Sequence, residues 1–226
     1  MFRAINGLVP GVVRYQVLRN LELLIYRCLV FLVFPLFALL IRLGFRKPNP
    51  QPKVVFGAMS IINSKYHSLA LKRVGVDSVT AVWWMQSWVT TDNDYDITLD
   101  PRRGDYRSVS AILFKTPLTI AKIFWEYDVF FYYFSGFYLL QDDRMKWREL
   151  QILKKLGKKI IVMPYGADVT VASESKELTV KYALVRDYPI MADPKFVDLT
   201  RRQVTYFSKY ADAIIGWAMC PDYMPR

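Results

Sequence analysis

Leu156-Gly157-Lys158-Lys159-Ile160-Ile161-Val162-Met163-Pro164-Tyr165-Gly166-Ala167-Asp168-Val169 decides the fold. It reads as the end of a helix, a glycine stop, a short buried strand and a tight polar loop. Glycine suits the left-handed position that closes a helix. The apolar run 160–163 is short and β-branched at its start, which favours a buried strand over a helix. The loop that follows sits at the carboxyl end of that strand, and in open α/β sheets ligands bind at that edge.

Working outward, the same alternation recurs. Residues 54–57 read as a first buried strand and 58–64 as a turn. Residues 65–74 read as a helix stopped by Gly75, and 79–84 as a second strand. That order is a βαβ unit. Residues 90–103 are polar and turn-rich, with Tyr95-Asp96-Ile97 opening a short strand. A helix over 110–124 carries Pro117 as an interruption. Residues 127–134 form an aromatic strand ending at Ser135-Gly136, and 140–156 a single helix. Residues 178–191 and 199–210 are helical, and 211–217 is a last strand. The pattern predicts an α/β domain, a Rossmann-like parallel sheet with helices on both faces. Lys154, Lys155, Lys158 and Lys159 read as a solvated helix end that favours the dipole. Arg102 and Arg103 read in the same way.

The amino-terminal segment, 1–47, is of another kind. Residues 21–43 are strongly apolar, broken only by Glu22, Arg27 and Arg42. The uncharged core, 29–41, is shorter than the ~20 residues of a simple spanning helix. Seven basic residues flank it against Glu22 alone, which points to an anionic membrane surface. A helix lying in the interface, a spanning anchor and a buried core helix compete, with Pro35 placed to kink any of them. Phe31, Phe34 and Phe37 leave no polar side, which argues against the core helix. A cleaved signal peptide does not fit, since no small-residue cleavage site follows the apolar block. Arg42, Arg46 and Lys47 place the following domain on the cytoplasmic side. Pro48, Pro50 and Pro52 make 48–52 a stiff linker, and the globular domain spans 53–226.

The whole chain has 226 residues, 53% of them hydrophobic, which suffices for one α/β domain with an appendage. Its net charge of +11 raises nucleic acid as a partner, but no RNA-binding signature accompanies it, and none is expected. Cys28 and Cys220 give neither a disulfide framework nor zinc spacing.

The opening segment resembles the L-G-K-K, apolar strand, G-S-D-V-R passage in the amino-terminal half of GT-B glycosyltransferases, particularly the large retaining, nucleotide-sugar-using group. Gly166, Asp168 and Val169 match, while Ala167 and Thr170 replace a serine and an arginine. Tyr127-Asp128-Val129-Phe130 and Tyr210 to Gly216 extend the resemblance over most of 53–226. It implies the acceptor-binding half of a membrane-associated enzyme that moves a sugar from a nucleotide-sugar co-substrate to a glycan or lipid-linked acceptor. It implies no other cofactor. It also implies a carboxyl-terminal donor-binding domain or subunit, because 226 residues are too few for both halves. The alternative is a noncatalytic membrane anchor that recruits such a subunit.

Site candidates follow from the strand ends. Gly57, Ser60, Asn63 and Ser64 line the loop after the first strand, where backbone amides at a helix start hold anions. Tyr165, Gly166 and Asp168 form the second group, with Asp168 either receiving sugar hydroxyls or capping a turn. Ser135 lies on the same expected rim. His67 is the lone histidine, a weaker acceptor-site candidate. Asp92, Asp94 and Asp96 alternate as in a metal-binding D-x-D of GT-A glycosyltransferases, though a solvated turn reads better and no metal is expected.

Overall fold

A computed structural model describes residues 16–46, 49–83, 90–99, 111–140, 143–166, 168–174 and 177–216. The readings placed on residues 1–15, 84–89, 100–110 and 217–226 lie outside the described residues, among them those on Arg102, Arg103 and Cys220. So do Lys47 and Pro48 of the boundary region and Ala167 of the opening stretch.

Six strands form one sheet: β1 (Val54–Ala58), β2 (Ser78–Val82), β3 (Ile97–Thr98), β4 (Val129–Tyr133), β5 (Lys159–Met163) and β6 (Ala213–Ile214). Their order is β3-β2-β1-β4-β5-β6, and every pairing is parallel. β1 and β4 are buried almost throughout, as their unbroken apolar sequences require of strands covered on both faces. The two edge strands span only two residues each, which limits unpaired backbone.

The helices are α1 (Gln16–Arg42), α2 (Ile62–Arg73), α3 (Thr116–Glu126), α4 (Asp143–Lys146), α5 (Glu149–Lys155), α6 (Leu178–Asp187) and α7 (Pro194–Tyr210). α2 covers one face over Val54, Phe56 and Phe131. Residues of α3, α5 and α7 join Val55, Phe130, Tyr132, Ile160 and Val162 in the main core on the other face. The expected Rossmann-like α/β sheet, with helices on both faces and an apolar helix before it, is the observed fold.

Several boundaries differ from expectation, each for a local reason. The helix expected over 110–124 runs without a break from 111 to 126, and the interruption at Pro117 takes the form of a π-helical turn at Ala111–Lys115 just before α3. Asp193 caps α7 by accepting from the Lys195 amide at 2.8 Å, so that helix begins before residue 199. The single helix expected over 140–156 is two pieces, broken at Trp147 and Arg148. Glu149 starts the second piece and turns inward to bind the amides of Tyr138 and Leu139. The lysine cluster is not uniformly solvated. Lys158 is buried, and its Nζ donates to the carbonyls of Trp125 at 3.1 Å and Tyr127 at 2.5 Å, closing the end of α3.

α1 does not stand apart from the domain. It is continuous, with a π-helical turn at Leu29–Val33 that absorbs Pro35. Tyr26, Leu29, Val30 and Phe34 belong to the main core. Phe34 stacks on Phe124 at 4.7 Å, and Phe37 packs on Trp125 at 4.8 Å. At its end Arg46 pairs with Asp128 and donates to the Glu126 carbonyl at 3.0 Å. The opposite face stays bare: Leu24, Leu32, Leu36, Leu39 and Leu43 are each more than half exposed.

Candidate functional site

The strand order reverses between β1 and β4. β1 leads to α2 on one side, and β4 leads to α5 on the other. A crevice outside the carboxyl ends of such a pair is where parallel sheets receive ligands. Here it is bounded by residues 59–61 after β1, 134–136 after β4 and 164–166 after β5. The first two loops meet directly. A Cβ at Gly136, whose φ is +89°, would lie 2.4 Å from Met59 Cγ.

The rim is rich in buried hydroxyls. The Oγ of Ser60 is buried without a hydrogen-bond partner, and the Oγ atoms of Ser64 and Ser135 and the Oη of Tyr133 are buried with no well-formed one. Ser64 lies close enough to Tyr133 to favour its ionised form, though burial outweighs this and holds the Tyr133 pKa above the ordinary value. Ser135 stands in the same relation to Tyr165. The rings of Tyr133 and Tyr165 meet edge to face at 5.5 Å. Ile61, before α2, supplies no side-chain cap, so the electropositive start of that helix is not neutralised by its own chain. Asn63 is exposed on the first turn, and Tyr165 is 39% exposed at the outer margin. Tyr133 is the member that sequence reading missed; inside an all-aromatic strand nothing marks the one ring whose hydroxyl reaches the edge.

Asp168 sits on this rim but is committed to structure. Its Oδ1 accepts from the amides of Tyr165 and Gly166, both at 3.0 Å, and its Oδ2 from Phe134 at 3.1 Å. Burial outweighs those bonds and raises its pKa to about 6. It ties the end of β4 to the loop after β5 and so positions Tyr165 and Gly166.

Gly57 is displaced from its expected role. It lies within β1, not in the loop, and an added Cβ would lie 2.1 Å from Tyr138 Oη and 2.2 Å from the Ala81 carbonyl. The space that a glycine leaves there is filled by the protein's own tyrosine. His67 lies one helical turn below Ser64, between Phe56 at 6.1 Å and Phe131 at 5.9 Å. Its Nδ1 is buried without a partner, and burial lowers its pKa. The D-x-D reading gives way to ion pairs. Asp94 binds Lys65, the Thr91 amide at 2.6 Å and the Thr91 hydroxyl at 2.9 Å, which lower its pKa to about 2. Asp96 binds the Thr80 amide at 2.8 Å and Lys72 at 3.1 Å. These carboxylates pin β3 and its approach to β2 and α2. Among the described residues no group of three or more His, Cys, Asp or Glu is placed to hold a metal ion.

A second buried carboxylate escaped sequence reading altogether. Glu149 is fully buried beneath the sheet, accepting from Tyr132 Oη at 2.6 Å, the Tyr138 amide at 3.0 Å and the Leu139 amide at 2.6 Å. Loss of water raises its pKa to about 7.

No protein-family model, curated protein or solved structure matches this chain.

Proposed function

We propose that the chain is the membrane-seated, acceptor-binding half of a nucleotide-sugar-dependent glycosyltransferase. The observation that carries this reading is the cluster at the β1/β4 reversal: Ser60, Ser64, Tyr133 and Ser135, whose buried hydroxyls make no well-formed hydrogen bond among the described residues, beside the uncapped start of α2. Buried polar groups are normally paired, and a ligand rich in hydroxyls would supply the missing bonds. Tyr165 gives an aromatic wall at the margin, and an aromatic face suits the apolar face of a sugar ring. The resemblance around Gly166 and Asp168 adds the class of acceptor, a glycan or lipid-linked sugar.

The rim binds but lacks a free acid or base among its described residues. Asp168 spends both oxygens on amides, and His67 lies below between two phenylalanines. The chemistry therefore needs a second, donor-binding body, whether further chain or a separate subunit. That distribution also favours the related reading of an anchor that recruits such a subunit. The bare apolar face of α1 supports attachment to a membrane, with the sheet domain on the cytoplasmic side.

The test is binding of alkyl glycosides and of a nucleotide-sugar panel to the purified chain, followed by tryptophan fluorescence. Alkyl glycosides should bind, and Ser64→Ala and Tyr133→Phe should each weaken them about fivefold, the value of one hydrogen bond. Nucleotide-sugars should be turned over only after a donor-binding half is added. Glycoside binding that is absent, or indifferent to both substitutions, overturns the proposal.

A further inference from the structure

A groove of about 340 Å³ runs between α1 and α5, away from the carboxyl rim. Its volume falls in the range of small-ligand sites, about 300–1,000 Å³. Val30, Phe34, Ala38 and Ile152 line it with apolar surface, and Arg42 and Lys155 stand on its margin. Both cations end their helices. Neither has an acidic or hydrogen-bonding partner among the described residues, although the neighbouring Lys154 and Lys159 both pair with Asp212. The groove opens beside the bare leucine face of α1.

We infer that this groove holds one acyl chain of an anionic phospholipid, with its phosphate bridged by Arg42 and Lys155. The pattern matches that occupant part by part. An apolar trough removes methylenes from water, and two unneutralised cations beside it meet a single phosphate charge. A free sugar or nucleotide would leave the trough unfilled, and a neutral lipid would leave the cations unanswered. The site deepens the membrane reading of α1, on which it rests for its supply of lipid.

The experiment uses the full chain purified in detergent. It is incubated with equal amounts of phosphatidylglycerol and phosphatidylcholine of the same acyl composition, then weighed by native mass spectrometry. Wild type should retain one lipid and favour phosphatidylglycerol. R42Q/K155Q, which changes only exposed side chains, should reduce that preference roughly tenfold while still retaining lipid. Ala38→Trp, which fills the trough, should abolish retention. Flotation with phosphatidylglycerol vesicles separates the two claims, because the bare face of α1 is intact in Ala38→Trp and that variant should still float. An unchanged headgroup preference in R42Q/K155Q, or unchanged retention in Ala38→Trp, overturns the groove. Retention of phosphatidylglycerol by a wild type that does not float supports the groove and removes the membrane reading instead.

Discussion

At the scale of single residues, chemistry that looks available from the sequence is largely spent inside the fold. Gly57 reads as a ligand-facing glycine, yet Tyr138 occupies its open side. Gly57→Ala should therefore be severely destabilising, by several kcal/mol, because the nearest backbone clash, Ala81 O, cannot rotate away. Adding Tyr138→Phe removes only the side-chain part of the conflict and should not restore the urea midpoint. Glu149 makes the opposite point, since a glutamate in an amphipathic run gives no sign that it will be buried. Its carboxyl pKa is raised from 4.5 to about 7, so the native state prefers it protonated. The cost of burying the charge is complete above pH 7 and is relieved as pH falls from 7 towards 4.5, where the unfolded chain also takes up the proton. Glu149 alone should add about 2 kcal/mol between pH 6.5 and pH 5 in urea titrations. Asp168, raised to about 6, acts in the same direction. Asp94, Asp96 and Asp212 are held low, so stability begins to fall again below about pH 4, and the pairs themselves break only as pH drops through the lowered values, about 2 for Asp94. Glu149→Gln should reduce the rise between pH 6.5 and pH 5 to the part that Asp168 supplies, and Glu149→Ala should cost about 3–5 kcal/mol by orphaning three buried donors. A pH profile identical in Glu149→Gln and wild type would show that this carboxyl does not titrate there.

At the scale of elements, legibility follows how local the cause is. The stop at Gly157 was readable because one residue decides it. Its φ is +71°, and the amides of Gly157 and Lys158 reach back to the carbonyls of Lys154 and Leu153 at 3.0 and 2.9 Å. The strands were readable because apolar runs of four or five residues have few alternatives. The break inside 140–156 was not, because it depends on amides at 138 and 139 that Glu149 meets only after folding. The role of α1 was half readable. Its composition announced an apolar surroundings on every side, but not that one side is protein. The structure divides the three phenylalanines: Phe34 is buried on Phe124, Phe37 is half-buried on Trp125, and Phe31 is exposed. Phe34→Ala should therefore cost about 3–5 kcal/mol and hasten tryptic cleavage at Arg46 and Lys53. Leu32→Ala, on the bare face, should change stability in detergent by less than about 0.5 kcal/mol. Equal effects of the two substitutions would mean that α1 is not docked as described.

At the scale of the whole molecule, the membrane seat proposed for α1 has to fit a helix that keeps one face on protein. The 27 residues of α1 extend about 40 Å, enough to cross a hydrocarbon core of about 30 Å. Length alone therefore permits a span, but the docked partners oppose it. The guanidinium of Arg148 lies 5.3 Å from the ring of Phe31, close to the midpoint of α1, and Lys155 lines the groove with Arg42. A spanning α1 that kept its partners would carry Arg148 to the bilayer centre, at about 2.5–3.5 kcal/mol for that charge alone. It would also pull α3 and α5 into lipid with the sheet behind them. Lying in the interface would avoid both costs, since the proposed seat would turn the bare leucines towards the acyl chains and leave the cations at headgroup level. The two arrangements differ in where the ends of α1 emerge. With Cys28 and Cys220 replaced by serine, single cysteines at Gln16 and Asn49 report the two ends, and both native side chains are exposed. On sealed phosphatidylglycerol vesicles, a membrane-impermeant maleimide added outside should label Gln16→Cys and Asn49→Cys equally if the helix lies in one leaflet. Labelling of only one of them until the vesicles are lysed would establish a span, and α1 would then have to leave Phe124 and Trp125 to make it.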